Sequence, residues 1–184
     1  DFYAPQSWSN APDNRKIWLA WMNNWLYAQD IPASTWRGSF TIPRELALVT
    51  TPNGIRLVQQ PVVELEQLRE KQGTWREEII TANNNLLAEI TGETLEIVAE
   101  FQITDLEDAD RFGFRLRSGA DEVTTVGYAV KGQQLYVDRT QSGEVDFNDN
   151  FAGVQTAVME PIDGVIKLHI FIDRSSVELF GNGG

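Results

Sequence analysis

Alternation of apolar and polar residues constrains the fold of this chain more than any other feature of its sequence. Between positions 165 and 173 every second residue is Ile or Leu, and Lys167, His169 and Phe171 stand between them. Because successive side chains of a strand point to opposite faces, this pattern predicts a strand with one buried face. Strands are also predicted at residues 95–104, 111–117, 123–130, 134–139 and 176–180, and the apolar runs at residues 17–21 and 39–42 are further strand candidates.

Turn-forming dipeptides separate the strands in the second half of the chain. They are Ser118-Gly119, Lys131-Gly132, Ser142-Gly143 and Asp163-Gly164. Short strands at this spacing predict an all-β sandwich. One helix is predicted at residues 62–70, directly after Pro61, with Val62, Leu65 and Leu68 on one face. The composition also changes over residues 58–72, which indicates a boundary there.

Tryptophan is concentrated at the start of the chain. Five of the six tryptophans lie between Trp8 and Trp36, where a turn containing Asn23-Asn24-Trp25 separates two strand candidates. Aromatic faces cover the C–H side of a sugar ring, and amides and carboxylates hydrogen-bond its hydroxyls. This segment therefore has the chemistry of a sugar-binding loop.

The tryptophans differ in the roles that the sequence predicts for them. Trp18 and Trp21 belong to a strand-like run and are predicted to be core residues. Trp25 stands beside two asparagines and is either a core residue or a ligand-facing one. Tyr3 and Arg37 could add to a ligand-facing surface, and so could Asp1.

The net charge of −12 restricts the partners of the chain. Nucleic acid and anionic membrane surfaces need a basic patch, so neither is expected. The acidity suits neutral ligands such as sugars, or it serves solubility alone. Cysteine is absent, which excludes disulfides and thiolate metal sites. No apolar run has the roughly 18 residues of a membrane helix and no signal peptide is visible, so a soluble protein is expected, either secreted or cytoplasmic.

Two acidic clusters are candidates for catalytic carboxylates or for a metal site. The first consists of Asp105, Glu107, Asp108 and Asp110, and the second of Asp146, Asp149 and Asn150. Both lie between predicted strands without the spacing of an EF-hand loop, so we interpret them as solvated loops, or at most as weak calcium sites. His169 is the only histidine and is expected on the surface of its strand. No zinc site, serine triad or cofactor is therefore expected.

A set of motifs occurs in order along nearly the whole chain. In the first part these are Asp1-Phe2-Tyr3-Ala4, Trp21-Met22-Asn23-Asn24-Trp25, Trp36-Arg37-Gly38 and Ile42-Pro43-Arg44-Glu45-Leu46. In the second part they are Val137-Asp138-Arg139-Thr140, Ser142-Gly143 and the run from His169 to Phe180. Together they resemble glycoside hydrolase family 32, which holds levanases, exo-inulinases, invertases and related fructosyltransferases.

The resemblance implies a five-bladed β-propeller followed by a two-sheet, jelly-roll-like β-sandwich. Residues 1–58 then form the last part of the propeller, residues 59–72 a linker, and residues 73–184 most of the sandwich. The turn at residues 181–184 has no strand after it, so the sandwich is expected to be truncated there, unless these residues are a flexible tail.

A retaining mechanism is also implied by the resemblance. An Asp attacks the anomeric carbon of a β-fructofuranosyl unit, a Glu protonates the leaving oxygen, and a second Asp stabilises the transition state. In the family these carboxylates lie in motifs similar to Trp-Met-Asn-Asp-Pro, Arg-Asp-Pro and Glu-Cys, none of which occurs here. No catalytic residue is therefore assigned to this chain.

The substrate-facing residues that the resemblance does imply lie at the start of the chain. Trp25 is expected to line a fructose pocket, and Asn24, Asp1 and Tyr3 are expected near its mouth. The expected ligand is fructan or sucrose, and no metal ligand is assigned.

Three interpretations of the whole chain remain open. It is the C-terminal part of a β-fructofuranosidase with its catalytic carboxylates elsewhere, a non-catalytic carbohydrate-binding or oligomerisation module, or an inactive truncated relative. Its protein partner would be the missing N-terminal part of the propeller or a second copy. Since a partial propeller leaves strand edges unpaired, residues 1–45 are expected to associate or to be disordered when the chain is alone.

Overall fold

The computed structural model describes residues 1–33, 35–51, 54–82, 84–103 and 110–184. Within these residues the chain forms three antiparallel sheets, so the prediction of an all-β fold is confirmed. The strands are β1 (Tyr3–Ser7), β2 (Ile17–Trp21), β3 (Arg44–Thr51), β4 (Gly54–Pro61), β5 (Leu95–Gln102), β6 (Arg111–Leu116), β7 (Val123–Ala129), β8 (Gln134–Gln141), β9 (Val154–Val158), β10 (Val165–Ile172) and β11 (Val177–Gly181).

The first sheet, here called the N-terminal sheet, has the strand order β1-β2-β3-β4. Strands β3 and β4 form a hairpin paired from Arg44 opposite Pro61 to Thr51 opposite Gly54. The sequence analysis missed this hairpin, because the apolar residues of 46–49 follow one another without alternation. It also missed β1 and β9, whose residues are all exposed.

The strand predicted at residues 39–42 is wrong. One bridge, between Phe40 and Trp21, joins the backbone of this segment to β2, and the amide of Ala20 donates to Oγ1 of Thr41 at 3.1 Å. Regular pairing begins after Pro43, with β3. The physical reason lies at Ile42, whose amide donates to the carboxylate of Glu178 at 2.7 Å and not to a neighbouring strand.

The second half of the chain is a sandwich of two sheets with orders β11-β10-β5 and β6-β7-β8-β9. Its core is formed where the apolar face of β10 packs on the inner face of the other sheet. The buried residues of this core are Leu116, Val126, Tyr128, Val130, Ile166, Leu168, Ile170 and Ile172. The alternation in residues 165–173 therefore indicated the buried face of β10 correctly.

Two glycines of strands β6 and β7 leave no room for a side chain between the strands. Gly113 and Gly127 are opposite each other in the register of the pair. A Cβ atom added to Gly127 would overlap the carbonyl oxygen of Phe112 and lie 2.9 Å from the Cα atom of Gly113. Since both neighbours are backbone atoms, neither can move aside without separating the strands.

The segment between the N-terminal sheet and the sandwich contains a short 3-10 helix, Val63–Leu68, where the sequence predicted a helix over residues 62–70. A helical element is present, but it is a 3-10 helix, which is tighter and shorter than predicted. Its hydrogen bonds run from Leu65 to Val62 and from Arg69 to Glu66, each over three residues, and no side chain caps its N-terminus. No helix of the part that the structure describes is long and apolar enough to cross a membrane.

Arg69 attaches this segment to the outer face of the sandwich. Its guanidinium donates two hydrogen bonds of 2.6 Å to the carboxylate of Glu96 on β5. The same carboxylate lies 2.7 Å from Nε2 of His169 on β10. The bond from Arg69, followed by that from His169, lowers the pKa of Glu96, against the opposing effect of its burial. His169 is thus on the face predicted for it, although it is half-buried.

A buried ion pair joins the N-terminal sheet to the sandwich. Arg44 of β3 donates to Glu178 of β11 at 2.6 Å, and Glu178 is only 7% exposed. The guanidinium carbon of Arg44 also lies 4.5 Å from the ring centre of Phe2 and 4.8 Å from that of Phe180. These contacts hold both the start of the chain and β11 against one side chain.

We expect Gly127→Ala to lower the free energy of unfolding of the chain. Overpacking against backbone atoms costs on the order of 3 kcal/mol, so the urea midpoint should fall markedly. The control is Gly153→Ala, because the nearest described atom to its Cβ lies 3.9 Å away. Equal midpoints for the two variants would contradict the close approach of β6 and β7.

The depressed pKa of Glu96 predicts a pH-dependent contribution to stability. A carboxyl group whose pKa is lower in the folded state stabilises the fold above its unfolded value of about 4.5, and this is lost as the pH falls through the folded value. Glu96→Gln should therefore lower the free energy of unfolding by about 1 kcal/mol at pH 7. The difference from the parent chain should shrink on acidification below pH 5.

Urea titrations at several pH values measure this difference, and Glu100→Gln is the matched control. Glu100 lies on the same strand, but its ion pair with Lys167 is exposed on both sides. A constant effect of Glu96→Gln down to the acid limit would contradict the assignment.

Candidate functional site

The turn after β2, at residues 23–30, is organised by two asparagine side chains. Asn23 is buried, and its Oδ1 accepts a hydrogen bond from the amide of Asn24 at 2.8 Å. Oδ1 of Asn24 accepts from the amide of Leu26 at 2.8 Å, which forms an Asx-turn. The backbone oxygen of Asn24 accepts from the amide of Ala28 at 2.8 Å. These hydrogen bonds are all made within the turn, and the side chains of Trp25 and Leu26 project outward at its crest.

Three aromatic rings meet beside this turn. Trp21 and Trp25 lie 5.0 Å apart, measured between ring centres, with a tilt of 54°. Tyr3 has its edge towards both, at 6.0 Å from Trp21 and 6.4 Å from Trp25. The pairing of β1 with β2 brings Tyr3 opposite Trp21, so the strand register creates the cluster. Trp25 remains 65% exposed and Tyr3 50%, so both rings offer aromatic surface to solvent.

Asp1 completes the edge of this cluster. The side-chain amide of Asn24 donates to a carboxylate oxygen of Asp1 at 2.5 Å. The four residues predicted from the sequence as substrate-facing, namely Asp1, Tyr3, Asn24 and Trp25, are therefore brought together in one surface. Their role in binding stays a prediction. Trp21, predicted as core, is half-buried beneath Trp25.

Gly38 is a residue of this site whose role the sequence analysis missed. It has a φ of +77°, and an added Cβ would overlap the indole nitrogen of Trp21. The absence of a side chain at Gly38 thus allows Trp21 to lie under Trp25. The signal in the sequence was the glycine of the Trp36-Arg37-Gly38 motif, because glycine is the usual residue where the backbone adopts a positive φ or approaches another group closely.

Arg37 supports the loop and is not free to face a ligand with all of its donors. Its Nη1 atom donates to the carbonyl oxygens of Gln29 and Ile31, at 2.5 Å and 3.0 Å. These bonds join the loop before Gly38 to the end of the turn that carries Trp25.

The remaining sequence candidates belong to the two acidic clusters. Asp105, Glu107 and Asp108 are outside the described residues. Asp110 pairs with Lys131 at 2.7 Å, which lowers the pKa of the Asp110 carboxyl. In the second cluster the amide of Asn150 donates to Oδ1 of Asn148, within the loop itself. Among the described residues, no group of three His, Asp or Glu side chains is placed to hold a metal ion.

Two family models match the chain one after the other. Residues 1–61 match the glycosyl hydrolases family 32 N-terminal domain, and residues 64–184 match the glycosyl hydrolases family 32 C-terminal model. The chain belongs to glycoside hydrolase family 32. The resemblance seen in the ordered motifs is thereby confirmed.

Curated relatives in this family match over the full length of the chain. A levanase of Bacillus subtilis is 47% identical over 188 aligned residues, and an extracellular exo-inulinase of Aspergillus ficuum is 38% identical. The match covers all of this chain but only 28% of the levanase and 35% of the exo-inulinase. The chain thus spans about a third or less of these family 32 proteins.

Solved structures of the family have the same fold. The crystal structure of exo-inulinase from Aspergillus awamori matches with a TM-score of 0.75 and 35% identity, covering all of this chain and 36% of that one. Fructan 1-exohydrolase IIa from Cichorium intybus matches with a TM-score of 0.73 at 22% identity, covering all of this chain and 40% of that one. The expected fold, the end of a propeller followed by a sandwich, is confirmed.

We expect Gly38→Ala to disturb the aromatic cluster of this family 32 chain. The new methyl group would displace the Trp21 ring and thereby change its packing on Trp25. The near-ultraviolet circular dichroism of the tryptophans should change, while the far-ultraviolet spectrum should not.

Gly54→Ala is the matched control for Gly38→Ala. Gly54 also has a positive φ, of +100°, but no described atom lies within 4 Å of its added Cβ. The control shares the backbone strain of about 1 kcal/mol without the clash, so its near-ultraviolet spectrum should equal that of the parent chain. Identical spectral changes in both variants would show that strain, and not contact with Trp21, is responsible.

Proposed function

We propose that this chain is the C-terminal part of a β-fructosidase, and that it supplies an aromatic wall of the sugar pocket. The observation that carries the proposal is the exposed ring of Trp25, supported by Trp21 and Tyr3 and bordered by the linked pair Asp1 and Asn24. Such an arrangement offers a fixed apolar face beside polar groups. The relatives named levanase and exo-inulinase support a fructan as the substrate class.

The chemistry of a furanose ring suits this surface. One face of the sugar presents C–H groups, which pack on an indole ring, while the hydroxyl groups lie at the edge. At that edge the Asp1 carboxylate accepts hydrogen bonds from hydroxyl groups. Because Asn24 already binds Asp1, the carboxylate is oriented before the sugar arrives, which reduces the entropy lost on binding.

In this proposal the chain binds and orients the fructosyl unit, and carboxylates outside the chain perform the bond cleavage. A retaining glycosidase needs a nucleophile and an acid/base placed about 5 Å apart on either side of the scissile bond. The described carboxylates near Trp25 do not form such a pair, since Asp1 is bonded to Asn24 and Asp30 lies at the far end of the turn. Sucrose, inulin and levan all present a terminal fructosyl unit, so all three are candidate substrates.

We expect Trp25→Ala to weaken the binding of fructo-oligosaccharides to the chain. Truncating a central aromatic contact costs about 2 kcal/mol, which corresponds to an increase of about thirtyfold in Kd. Isothermal titration with short levan and inulin oligosaccharides measures the effect. Trp75→Ala is the control, because Trp75 is also exposed but belongs to the segment of the chain between β4 and β5. Equal losses in both variants would argue against a pocket at Trp25.

An assay of fructose release with the same preparation tests the catalytic part of the proposal. The chain should release no fructose from sucrose, inulin or levan, and intact mass should confirm that no second polypeptide is present. Release by the 184-residue species alone would overturn the assignment of the carboxylates to another part of the protein. Binding without release by a complete protein would favour a carbohydrate-binding module.

A further inference from the structure

The turn that carries Trp25 is held by the sandwich as well as by its own sheet. Asn148 lies in the loop between β8 and β9. Its side-chain amide nitrogen donates to the carbonyl oxygen of Leu26 at 3.2 Å and to the carboxylate of Asp30 at 2.6 Å. The crest of the turn, at Leu26, and its far end, at Asp30, are therefore joined to one side chain of the sandwich.

The orientation of the Asn148 amide is determined by its partners. Leu26 and Asp30 offer only acceptor oxygens, so the NH₂ group must face the turn. The oxygen on the other side, Oδ1, accepts from the backbone and side-chain nitrogens of Asn150, at 2.9 Å and 3.1 Å. The side chain thus has no alternative orientation that satisfies all four bonds.

A second contact from the sandwich reaches the base of the same turn. Arg139, at the end of β8, donates to the hydroxyl oxygen of Tyr27 at 3.2 Å, and its guanidinium carbon lies 4.6 Å from the ring centre of Phe151. Tyr27 packs edge-on against Phe151 at 5.3 Å between ring centres. Tyr27 and Ala28 are each 3% exposed, whereas Leu26 is 64% exposed. The turn therefore has a base buried on the sandwich and a crest in solvent.

We propose that Asn148 of the sandwich is a positioning residue for Trp25, with Arg139 as its support. The bonds of Asn148 determine where the crest of the turn stands, and the position of Trp25 determines the affinity for sugar. The sandwich therefore sets the affinity of a pocket whose wall belongs to the other half of the chain. The inference rests on the proposed function, since it requires sugar to bind at Trp25.

The first test is Asn148→Ala, measured by titration with fructo-oligosaccharides. Loss of a hydrogen bond to a charged group should raise Kd by about tenfold. Hydrogen exchange of the amides at residues 26–28 should also become faster. Asn182→Ala is the matched control, because Asn182 also donates to a backbone carbonyl of the sandwich, that of Glu160, at 2.8 Å. It makes no contact with the turn and should leave Kd unchanged.

A double-mutant cycle separates positioning from a general loss of stability. In the Trp25→Ala background, Asn148→Ala should have no further effect on Kd, because the residue acts only through Trp25. A full additional effect would overturn the inference. If Trp25→Ala alone leaves Kd unchanged, the proposed function fails. If Trp25→Ala weakens binding and Asn148→Ala does not, only the present inference fails.

If Asn148→Ala folds poorly, the contact between residues 148 and 30 is tested instead by exchanging the amide and the carboxylate between the two positions. Asn148→Asp places a second carboxylate against Asp30 and should weaken sugar binding more than Asn148→Ala does. In the double variant Asn148→Asp with Asp30→Asn, the amide at position 30 donates to the carboxylate at position 148. The hydrogen bond is restored with donor and acceptor reversed. Kd should then recover in part and lie below that of Asn148→Asp alone, because the bond between the two side chains is restored while the bond to the carbonyl oxygen of Leu26 is not. No recovery in the double variant would overturn the role of this contact.

Discussion

The buried pair of Arg44 and Glu178 is the interaction on which the arrangement of this chain depends. A carboxylate that leaves water loses several kcal/mol of hydration, so Glu178 is stable in its position only with partners. It has two, the guanidinium of Arg44 and the amide of Ile42, and both belong to the other half of the chain. Arg44 in turn stacks on Phe2, the residue between Asp1 and Tyr3. The same ion pair thus joins the two halves and anchors the first strand of the candidate site.

The site is built by local turn chemistry on a scaffold of long-range contacts. Within the turn, Asn23 and Asn24 satisfy backbone amides and direct Trp25 outward. Outside it, β1 supplies Tyr3, the Gly38 loop makes room for Trp21, and the sandwich covers Tyr27. A rigid aromatic surface in solvent needs this support, because a tryptophan on a mobile turn would lose its binding energy to ordering.

Much of this fold could be predicted from the sequence, for reasons that particular residues make clear. The strand β10 has Ile or Leu at every second position because only that face is fully buried. The grouping of Trp25 with Asn24 was visible because neighbours in a turn share one surface. The hairpin β3–β4 was hidden, since both of its faces carry apolar residues, such as Leu48 on one face and Val49 on the other. The roles of Glu178 and Asn148 were hidden too, because their partners lie 136 and 118 positions away.

That separation along the chain has a consequence for inheritance. The residues of each contact between the two halves are encoded far apart, so a crossover between related genes within the linker would exchange one partner and keep the other. A sandwich that carried Glu178 into a relative without an arginine at the position of Arg44 would bring an unpaired buried carboxylate with it. The two halves of this chain are therefore expected to be inherited together, and substitutions at a contact in one half are expected to be matched in the other, although each half has its own sheets.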